Sequence, residues 1–235
     1  MELVFRDDAY AASCEAKVTW AEAGRIRLDR TVFYPTGGGQ PGDTGRLTLA
    51  DGSVVEIADT VKGDHLEDVV NIVAEGATLP AVGTPVAAEI DWERRFKHMR
   101  MHTTLHVICA LVDAEITGAS VGAEKSRIDL NWPQPDMTRD DLTAKLAAIV
   151  AADHPVRPIW IADDELDARP ELIRTMSVKP PRGMGRVRLL EIEGVDLQPC
   201  GGTHVSRTGD LGQVAVSRIE NKGRQNRRVN VVLLD

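Results

Sequence analysis

Few cysteines, no long apolar run and no excess of positive charge are the first features of this sequence. Its three cysteines, Cys14, Cys109 and Cys200, are odd in number and irregularly spaced, which argues against a disulfide framework and suits a reducing compartment. The sequence also lacks an apolar stretch long enough to cross a bilayer and the basic-then-apolar start of a secretory signal. We therefore expect a soluble, cytoplasmic protein that is not a membrane component.

The net charge of the chain is −8. This charge disfavours nucleic-acid binding by the surface as a whole, because an acidic protein repels phosphate backbones. Nucleic acid would have to be bound through local patches, and the sequence has two. The first patch consists of Arg94, Arg95, Lys97 and Arg100. The second patch, near the carboxyl end, consists of Lys222, Arg224, Arg227 and Arg228. By composition alone, each patch is either a solvated face or a phosphate-binding face.

A chain of 235 residues, 43% of them hydrophobic, can form one large or two modest domains with a real core. Up to about residue 90, short alternating or apolar runs are separated by turn residues, a pattern that predicts a small β-barrel. These runs are 15–20, 25–30, 46–49 and 54–58. From Asp91 onward the pattern is mixed. We predict an α+β protein with a β-barrel domain over 1–90, followed by an α+β domain with the metal site over 91–235.

The second part of the chain is predicted to contain two helices followed by strands. Asp91 can cap a helix, because no proline or glycine occurs from Asp91 to Ile116 and apolar residues recur there at helical intervals. Thr138, with Asp141 three residues later, is typical of the start of another helix. Strand-like runs follow at 186–192, 213–219 and 229–234.

Histidine and cysteine occur in two pairs of the same spacing, His102 with His106 in HTTLH and Cys200 with His204 in CGGTH. On the predicted helix the first pair lies on one face, one turn apart, and can reach one ion. The two glycines between Cys200 and His204 favour a tight turn that directs thiolate and imidazole to a common point. Three nitrogens and one sulfur suit tetrahedral zinc, so we predict a zinc site built from these four residues.

Other interpretations of the histidine pair are a core or surface role and a zinc peptidase. The spacing in HTTLH equals that of the H-E-x-x-H helix, but a peptidase needs glutamate as general base after the first histidine. Thr103 occupies that position here, which disfavours peptidase chemistry. His98 and Cys109 flank the pair and could serve as ligands, although satisfied polar or core roles are expected for both.

A glycine-rich segment, FYPTGGGQPGDTG, covers residues 33–45. It lacks the Gly-Lys-Ser/Thr ending of a P-loop and the spacing of a dinucleotide-binding fingerprint. We therefore expect no nucleoside triphosphate site from it. By composition alone the segment is a hairpin or loop.

Four motifs in this order resemble the editing domain of alanyl-tRNA synthetase and its freestanding relatives, the AlaX family. They are FYPTGGGQPGDTG, HTTLH, CGGTHVSRTGDLG and IENKGRQNRRV. The resemblance spans nearly the whole chain, and nothing in it resembles the ATP-dependent aminoacylation domain. It implies a freestanding hydrolase of the longer AlaX type, which deacylates mischarged tRNA specific for alanine. The substrates implied carry serine and, to a lesser extent, glycine, and hydrolysis would need no ATP.

The resemblance also implies roles for individual residues. Zn²⁺ would be held by the two histidine and cysteine pairs, and Thr36 and Gln40 would line the substrate pocket. Thr103, on the zinc helix, is expected to hydrogen-bond near the substrate. The second basic patch is favoured as a tRNA contact, and Arg94 and Arg95 of the first are further candidates. A pocket that hydrogen-bonds the serine hydroxyl would leave buried polar groups unpaired with alanine, and would thereby spare correctly charged tRNA.

An aminoacyl ester on the terminal ribose is already activated and needs only a correctly placed water. Zinc could lower the pKa of a bound water to about 7, or orient the ribose and carbonyl while another water attacks. Four protein ligands favour the orienting role and make Cys200 a ligand rather than a nucleophile. The alternatives are editing of serine on threonine-specific tRNA, a general metallohydrolase, and a non-catalytic tRNA-binding module stabilised by zinc. The sequence leaves the oligomeric state open.

Overall fold

The computed structural model describes residues 1–65, 67–176 and 185–235. The chain forms two compact units, Met1–Phe96 and Lys97–Asp235. Strands of the first unit close into a barrel, whereas the second unit combines helices with two open sheets. The predicted barrel and the α+β composition are both confirmed.

The first unit contains short β-strands and a one-turn helix. Its elements are β1 (Glu2–Leu3), α1 (Val4–Asp7), β2 (Ser13–Glu22), β3 (Arg25–Leu28), β4 (Arg30–Thr31), β5 (Gly45–Leu49), β6 (Val54–Lys62), β7 (Val69–Val73) and β8 (Pro85–Ile90). The barrel follows the order β2-β3-β7-β6-β5-β8, and β1 pairs with β4 in parallel beside it.

Alternation of buried and exposed residues builds the barrel core. In β6, Val55 and Ile57 are buried while Val54 and Glu56 are exposed, as expected when one face of a strand lines a core. Inward-facing residues of several strands meet in one apolar cluster. That cluster includes Ala16, Val18, Ile26, Leu28, Leu47, Val86, Ala88 and Ile90. The barrel therefore has a packed interior of mainly aliphatic side chains, with Phe33 among them.

The first helix of the second unit begins in the last residues of the first unit. The elements are α2 (Trp92–Val112), β9 (Ile116–Ser120), β10 (Lys125–Asn131), α3 (Arg139–Ala152), β11 (Val156–Ala162), α4 (Asp163–Asp167), β12 (Arg186–Ile192), β13 (Asp196–Pro199), β14 (Val214–Asn221) and β15 (Asn226–Leu233). One sheet has the order β14-β15-β10-β9 and the other the order β11-β12-β13. All neighbouring strands in both sheets are antiparallel.

Both predicted helices begin at their predicted caps. The Asp91 carboxylate accepts from the Arg94 amide at 3.1 Å, and Thr138 and Asp141 form a capping box at the start of α3. The segment of α2 from His98 to Cys109 is buried on all sides, so this part of the helix belongs to the core of its unit rather than to its surface. Among the described residues, no helix has the length and apolarity needed to span a membrane.

Candidate metal centre

The two predicted ligand pairs converge in the second unit. One ligand atom from each of His102, His106, Cys200 and His204 lies within 4.8 Å of all the others. The Cys200 Sγ is 3.2 Å from His204 Nε2 and 3.7 Å from His102 Nε2. Zinc at ordinary bond lengths to sulfur and nitrogen would place these atoms about 3.6 Å apart in a tetrahedron. The donor set and its spacing therefore fit a zinc ion.

A buried arginine holds the turn that carries Cys200. Arg188, on β12, donates from Nη1 to the carbonyl oxygens of Cys200 at 2.7 Å and Gly202 at 3.1 Å. The Cys200 amide donates to the Arg188 carbonyl at 3.1 Å, which extends the pairing of β12 and β13 by one residue. The turn is thus fixed to the sheet, whereas His102 and His106 are fixed by α2.

Asp196 orients the His106 ring from outside the cluster. Its Oδ2 lies 3.4 Å from His106 Nδ1, and its carboxylate is buried with 3% of the side chain exposed. Gln198 donates from Nε2 to both Asp196 oxygens at 2.9 Å. Because Nδ1 faces Asp196, Nε2 is the nitrogen of His106 left for a metal. Such carboxylate contacts to a ligating histidine fix its tautomer and raise its basicity.

Thr103 makes the corresponding contact to His204. Its hydroxyl lies 3.1 Å from His204 Nδ1 and accepts from the Val205 amide at 3.3 Å. The residue is completely buried. These contacts hold His204 with Nε2 towards Cys200, and the substrate contact expected of Thr103 stays a prediction. Sequence reasoning missed the roles of Asp196, Gln198 and Arg188, although two of these residues lie within four positions of Cys200.

Electrostatics within the cluster favour the ligating forms of Cys200 and His204. Burial raises the pKa of the Cys200 thiol, but the three histidines outweigh this and hold it well below its usual range. Burial lowers the pKa of His204 to about 3, which keeps this imidazole neutral. For His106, burial opposes the charge, but Cys200 and Asp196 raise the pKa to about 10. Binding of a metal cation would thus release a proton from His106.

Comparison with known proteins identifies the family. Residues 187–230 match the family model of the threonyl and alanyl tRNA synthetase second additional domain, and residues 7–94 match that of class II (A) tRNA synthetases. The alanyl-tRNA editing proteins AlaX-M of Methanosarcina acetivorans and Methanosarcina mazei are 35% and 36% identical to this chain. Each match covers 100% of this chain, with 99% and 97% of the respective relative.

The chain belongs to the AlaX family of alanyl-tRNA editing proteins. It is also 36% identical to the alanine–tRNA ligase of Metallosphaera sedula, over 93% of this chain but 24% of the ligase. The family resemblance inferred from the four motifs is therefore confirmed. The match over 7–94 adds that the barrel unit, too, resembles part of a class II synthetase.

The glycine-rich motif that led to the AlaX resemblance lies in the barrel unit. Thr36 is exposed, and its hydroxyl accepts from the Gly42 amide at 2.8 Å. Gln40 is buried, and its backbone exchanges two hydrogen bonds of 3.0 Å with Gly37. A Cβ at Gly42 would lie 2.0 Å from the Thr60 carbonyl oxygen, so only glycine fits there. The motif thus forms a tightly bonded loop, and the pocket role of Thr36 and Gln40 stays a prediction.

Arg95 has a structural position that the sequence did not reveal. It is fully buried and donates from Nε to both oxygens of Asp43 at 3.0 Å. Its other nitrogens donate to the carbonyls of Val32 at 2.6 Å and Ala9 at 3.1 Å. Arg95 is therefore removed from the candidate tRNA contacts, because its donors are desolvated and bonded within the barrel unit. Neighbouring Arg94 is partly exposed and donates to the Gly42 carbonyl at 2.7 Å.

The second basic patch surrounds the turn between β14 and β15. Lys222 and Arg224 are exposed there, and Lys222 lies 3.2 Å from Glu220. Arg227 and Arg228 are only partly exposed, since Arg227 donates to the Pro133 carbonyl at 3.0 Å and Arg228 is paired with an aspartate on β10. Within this patch, the charges of Lys222 and Arg224 are therefore the most accessible to a phosphate.

Proposed function

We propose that this AlaX-family protein is a trans-editing hydrolase. It deacylates mischarged tRNA specific for alanine, chiefly tRNA carrying serine and to a lesser extent tRNA carrying glycine, and it does not charge tRNA. The observation that carries the proposal is the buried convergence of three imidazoles and one thiol within 4.8 Å. The end-to-end similarity to proteins named alanyl-tRNA editing proteins supports the substrate class.

The metal assigned to this cluster is Zn²⁺, held by His102, His106, Cys200 and His204. When bound, zinc supplies Lewis acidity, which can polarise an ester carbonyl or acidify a water. Cys200 serves as a thiolate ligand and not as the acyl acceptor, because its sulfur faces two histidines and accepts from the Gly202 amide at 3.4 Å. Asp196 and Thr103 keep the rings of His106 and His204 in the ligating orientation.

Selection of the amino acid is assigned to the glycine-rich motif. Thr36 and Gln40 are the side chains proposed to face the aminoacyl group, in a barrel domain over 1–90 that precedes the hydrolytic domain over 91–235. A hydroxyl-binding pocket would reject alanine by leaving its own polar groups unpaired. Full preference for serine over alanine in a Thr36→Val variant would remove Thr36 from this role. The Thr36 to Gly42 hydrogen bond makes a fold check by circular dichroism necessary.

Contact with tRNA is assigned to Arg94, Lys222, Arg224, Arg227 and Arg228. Because the chain is acidic overall, binding through these residues should be local and salt-sensitive. The proposed setting is the cytoplasm, where tRNA is aminoacylated, and hydrolysis of the activated ester needs no ATP.

The test is release of labelled serine from Ser-tRNA and of labelled alanine from Ala-tRNA, both on alanine-specific tRNA. The wild type should release serine rapidly and spare alanine, and ATP should not change either rate. His102→Ala should lose bound zinc and serine release together. His98→Ala is the matched control, since His98 is a buried histidine one turn earlier on α2 that lies outside the cluster. Loss of zinc in the control would overturn the ligand assignment.

Two other results would point to the remaining functions. Faster release of serine from threonine-specific tRNA would indicate editing for the threonine system. A folded, zinc-loaded protein that binds tRNA but releases no amino acid from either tRNA would indicate a non-catalytic binding module.

A further inference from the structure

An exposed tryptophan lies on the same sheet as the metal cluster. Trp160, on β11, has 36% of its surface exposed. The guanidinium carbon of Arg186 lies 4.4 Å from the centroid of its ring. This is an indole held in place by an arginine, with part of its surface open to solvent. Indole and guanidinium together form a surface suited to a flat, electron-rich ligand beside a negative charge.

The strand register places Trp160 in one row with Cys200. Trp160 is opposite Arg188 in the pairing of β11 with β12. Leu189 is opposite Pro199 in the pairing of β12 with β13, so Arg188 is opposite the next residue, Cys200. Residues opposite each other share a face of the sheet, and two strand spacings amount to about 10 Å. The backbones of Trp160 and Cys200 therefore lie about 10 Å apart, with Trp160, Arg188 and Cys200 on one face.

The opposite face of this sheet is occupied by the core. Ile161, Val187 and Leu189 pack there against Leu166 and Leu172. Because side chains alternate along a strand, Trp160 points away from that core. The face that bears Trp160 is itself buried further along β12, at Leu190 and Ile192, and its exposed end is formed by Trp160. Trp160 is an aromatic residue on the face that also bears Cys200.

We infer that Trp160 and Arg186 form a stacking platform for the terminal adenine of the acylated tRNA. This inference rests on the proposed function. Every tRNA ends in an adenosine whose ribose carries both the adenine and the aminoacyl ester. If the ester reacts at the metal cluster, the base must lie within the length of one nucleoside from it, and the row from Cys200 to Trp160 has that span. Aromatic side chains stack on bases without regard to sequence.

The barrel unit offers a matched control, because it contains a second arginine–tryptophan pair. The Arg27 guanidinium carbon lies 4.7 Å from the Trp20 ring centroid. Arg27 also forms ion pairs with Asp64 at 3.2 Å and with Asp68 at 2.9 Å, so two carboxylates offset its charge. This pair has the same geometry but not the positive surface that a nucleotide requires.

The first readout is the hydrolysis of Ser-tRNA specific for alanine. Trp160→Ala should raise KM by about tenfold to a hundredfold, the range expected for the loss of one stacked base, with a smaller change in kcat. Trp160→Phe should restore most of the affinity, and Trp20→Ala should behave as wild type. Zinc content should be equal in all four proteins. An unchanged KM in Trp160→Ala would overturn the platform.

The second readout does not depend on hydrolysis. An uncharged tRNA acceptor stem that ends in CC-2-aminopurine should lose fluorescence on binding the wild type, because stacking quenches this base. Trp160→Ala should abolish the quenching and Trp20→Ala should not. Quenching that depends on Trp160 in a protein without hydrolase activity would refute the proposed function and retain the platform. Normal hydrolysis with quenching unaffected in Trp160→Ala would refute the platform and retain the proposed function.

Discussion

Each unit of the molecule buries a polar cluster of interest, around Arg95 in the first and around Cys200 in the second, and the two clusters are built in opposite ways. In the barrel unit, each nitrogen of Arg95 donates a hydrogen bond to the Asp43 carboxylate or to a backbone carbonyl. Asp43 in turn accepts from the Tyr34 amide at 2.6 Å. In the second unit, the ring nitrogens of His106 and His204 that face outwards are bonded to Asp196 and Thr103. Their other nitrogens point inwards, towards the same sulfur.

This difference separates a structural cluster from one built to bind an ion. A buried polar group needs a partner, since desolvation without one is costly. In the Arg95 cluster, a cation already neutralises the buried carboxylate, and every arginine nitrogen is bonded within the protein. The cysteine and histidine cluster instead brings four metal-ligating atoms within 4.8 Å of one another. A bound cation would be the shared partner of these atoms. The two clusters should therefore respond differently to mutation and to removal of metal.

The largest effect is expected from breaking the ion pair in the barrel unit. Arg95→Met leaves the Asp43 carboxylate buried without its cation, and removing one partner of such a pair costs about 3–5 kcal/mol. The free energy of unfolding, measured in urea with and without a chelator, should fall by the same amount in both conditions. The control is Arg46→Met, because Arg46 and Glu89 form an exposed pair, 51% and 47% accessible. That variant should lose less than about 1 kcal/mol, and an equal loss in both variants would contradict the comparison.

A somewhat smaller effect is expected from removing one ligand of the second cluster. Structural zinc sites contribute about 10–16 kcal/mol, so one of four ligands accounts for about 2.5–4 kcal/mol on average. Cys200→Ser should weaken zinc binding by about a hundredfold to a thousandfold, measured by competition with a chromogenic chelator. Its free energy of unfolding should fall mainly when zinc is present. Equal destabilisation with and without zinc would mean that this cluster, like the Arg95 cluster, is structural.

The helix caps, the ligand pairs and several strands could be predicted from local patterns in the sequence. The cap at Thr138 is predicted from Asp141 three positions later, the cap at Asp91 from the proline-free and glycine-free run that follows it, and the ligand pairs from residues four positions apart. Strand β12 has the predicted bounds, and β14 and β15 differ from the predicted runs by a few residues. Each of these features depends on the periodicity of one helix or strand. The periodicity of one element does not show that the two ligand pairs form a single site. The zinc donor set and the AlaX motifs supported that prediction.

Long-range partners account for what the sequence did not reveal. Asp196 and His106 are 90 residues apart, and Arg95 and Asp43 are 52 apart, so no local pattern connects them. The run that contains Arg94 and Arg95 looks like a solvated face, yet successive residues of a helix point in different directions. Arg95 consequently enters the core while Arg94 stays partly exposed. Burial that is imposed by tertiary packing cannot be read from charge alone.

Asp196 offers a finer test of the outward contacts. Asp196→Asn keeps the shape and an acceptor for Gln198 but removes the negative charge beside His106. Loss of such a partner to a ligating histidine typically weakens metal binding by about 10-fold to 100-fold. Zinc affinity should fall by this factor while the far-ultraviolet circular dichroism stays unchanged. Asp140→Asn, at a carboxylate that is 80% exposed, is the control, and an effect of the same size there would refute the positioning role.

The smallest effect on stability is expected from the Asp129 cluster, which is neither fully buried like the Arg95 pair nor as exposed as the Arg46 pair. Asp129 accepts from Arg228 at 2.7 and 2.9 Å and from Arg127 at 2.6 Å. Burial raises the pKa of Asp129, but the two arginines outweigh it and hold the pKa below its usual range.

Because the folded protein favours the Asp129 carboxylate, its contribution to stability is complete above the unfolded pKa of about 3.9. That contribution is lost as the pH falls through the lower pKa of the folded state. Solvent screening limits it to less than about 1 kcal/mol. Asp129→Asn should therefore reduce the free energy of unfolding slightly at pH 7 and flatten its decline below pH 4. If the free energy of unfolding of the variant had the same pH dependence as that of the wild type, water would already screen the two arginines from Asp129. Only fully desolvated clusters in this protein would then make a measurable electrostatic contribution to stability.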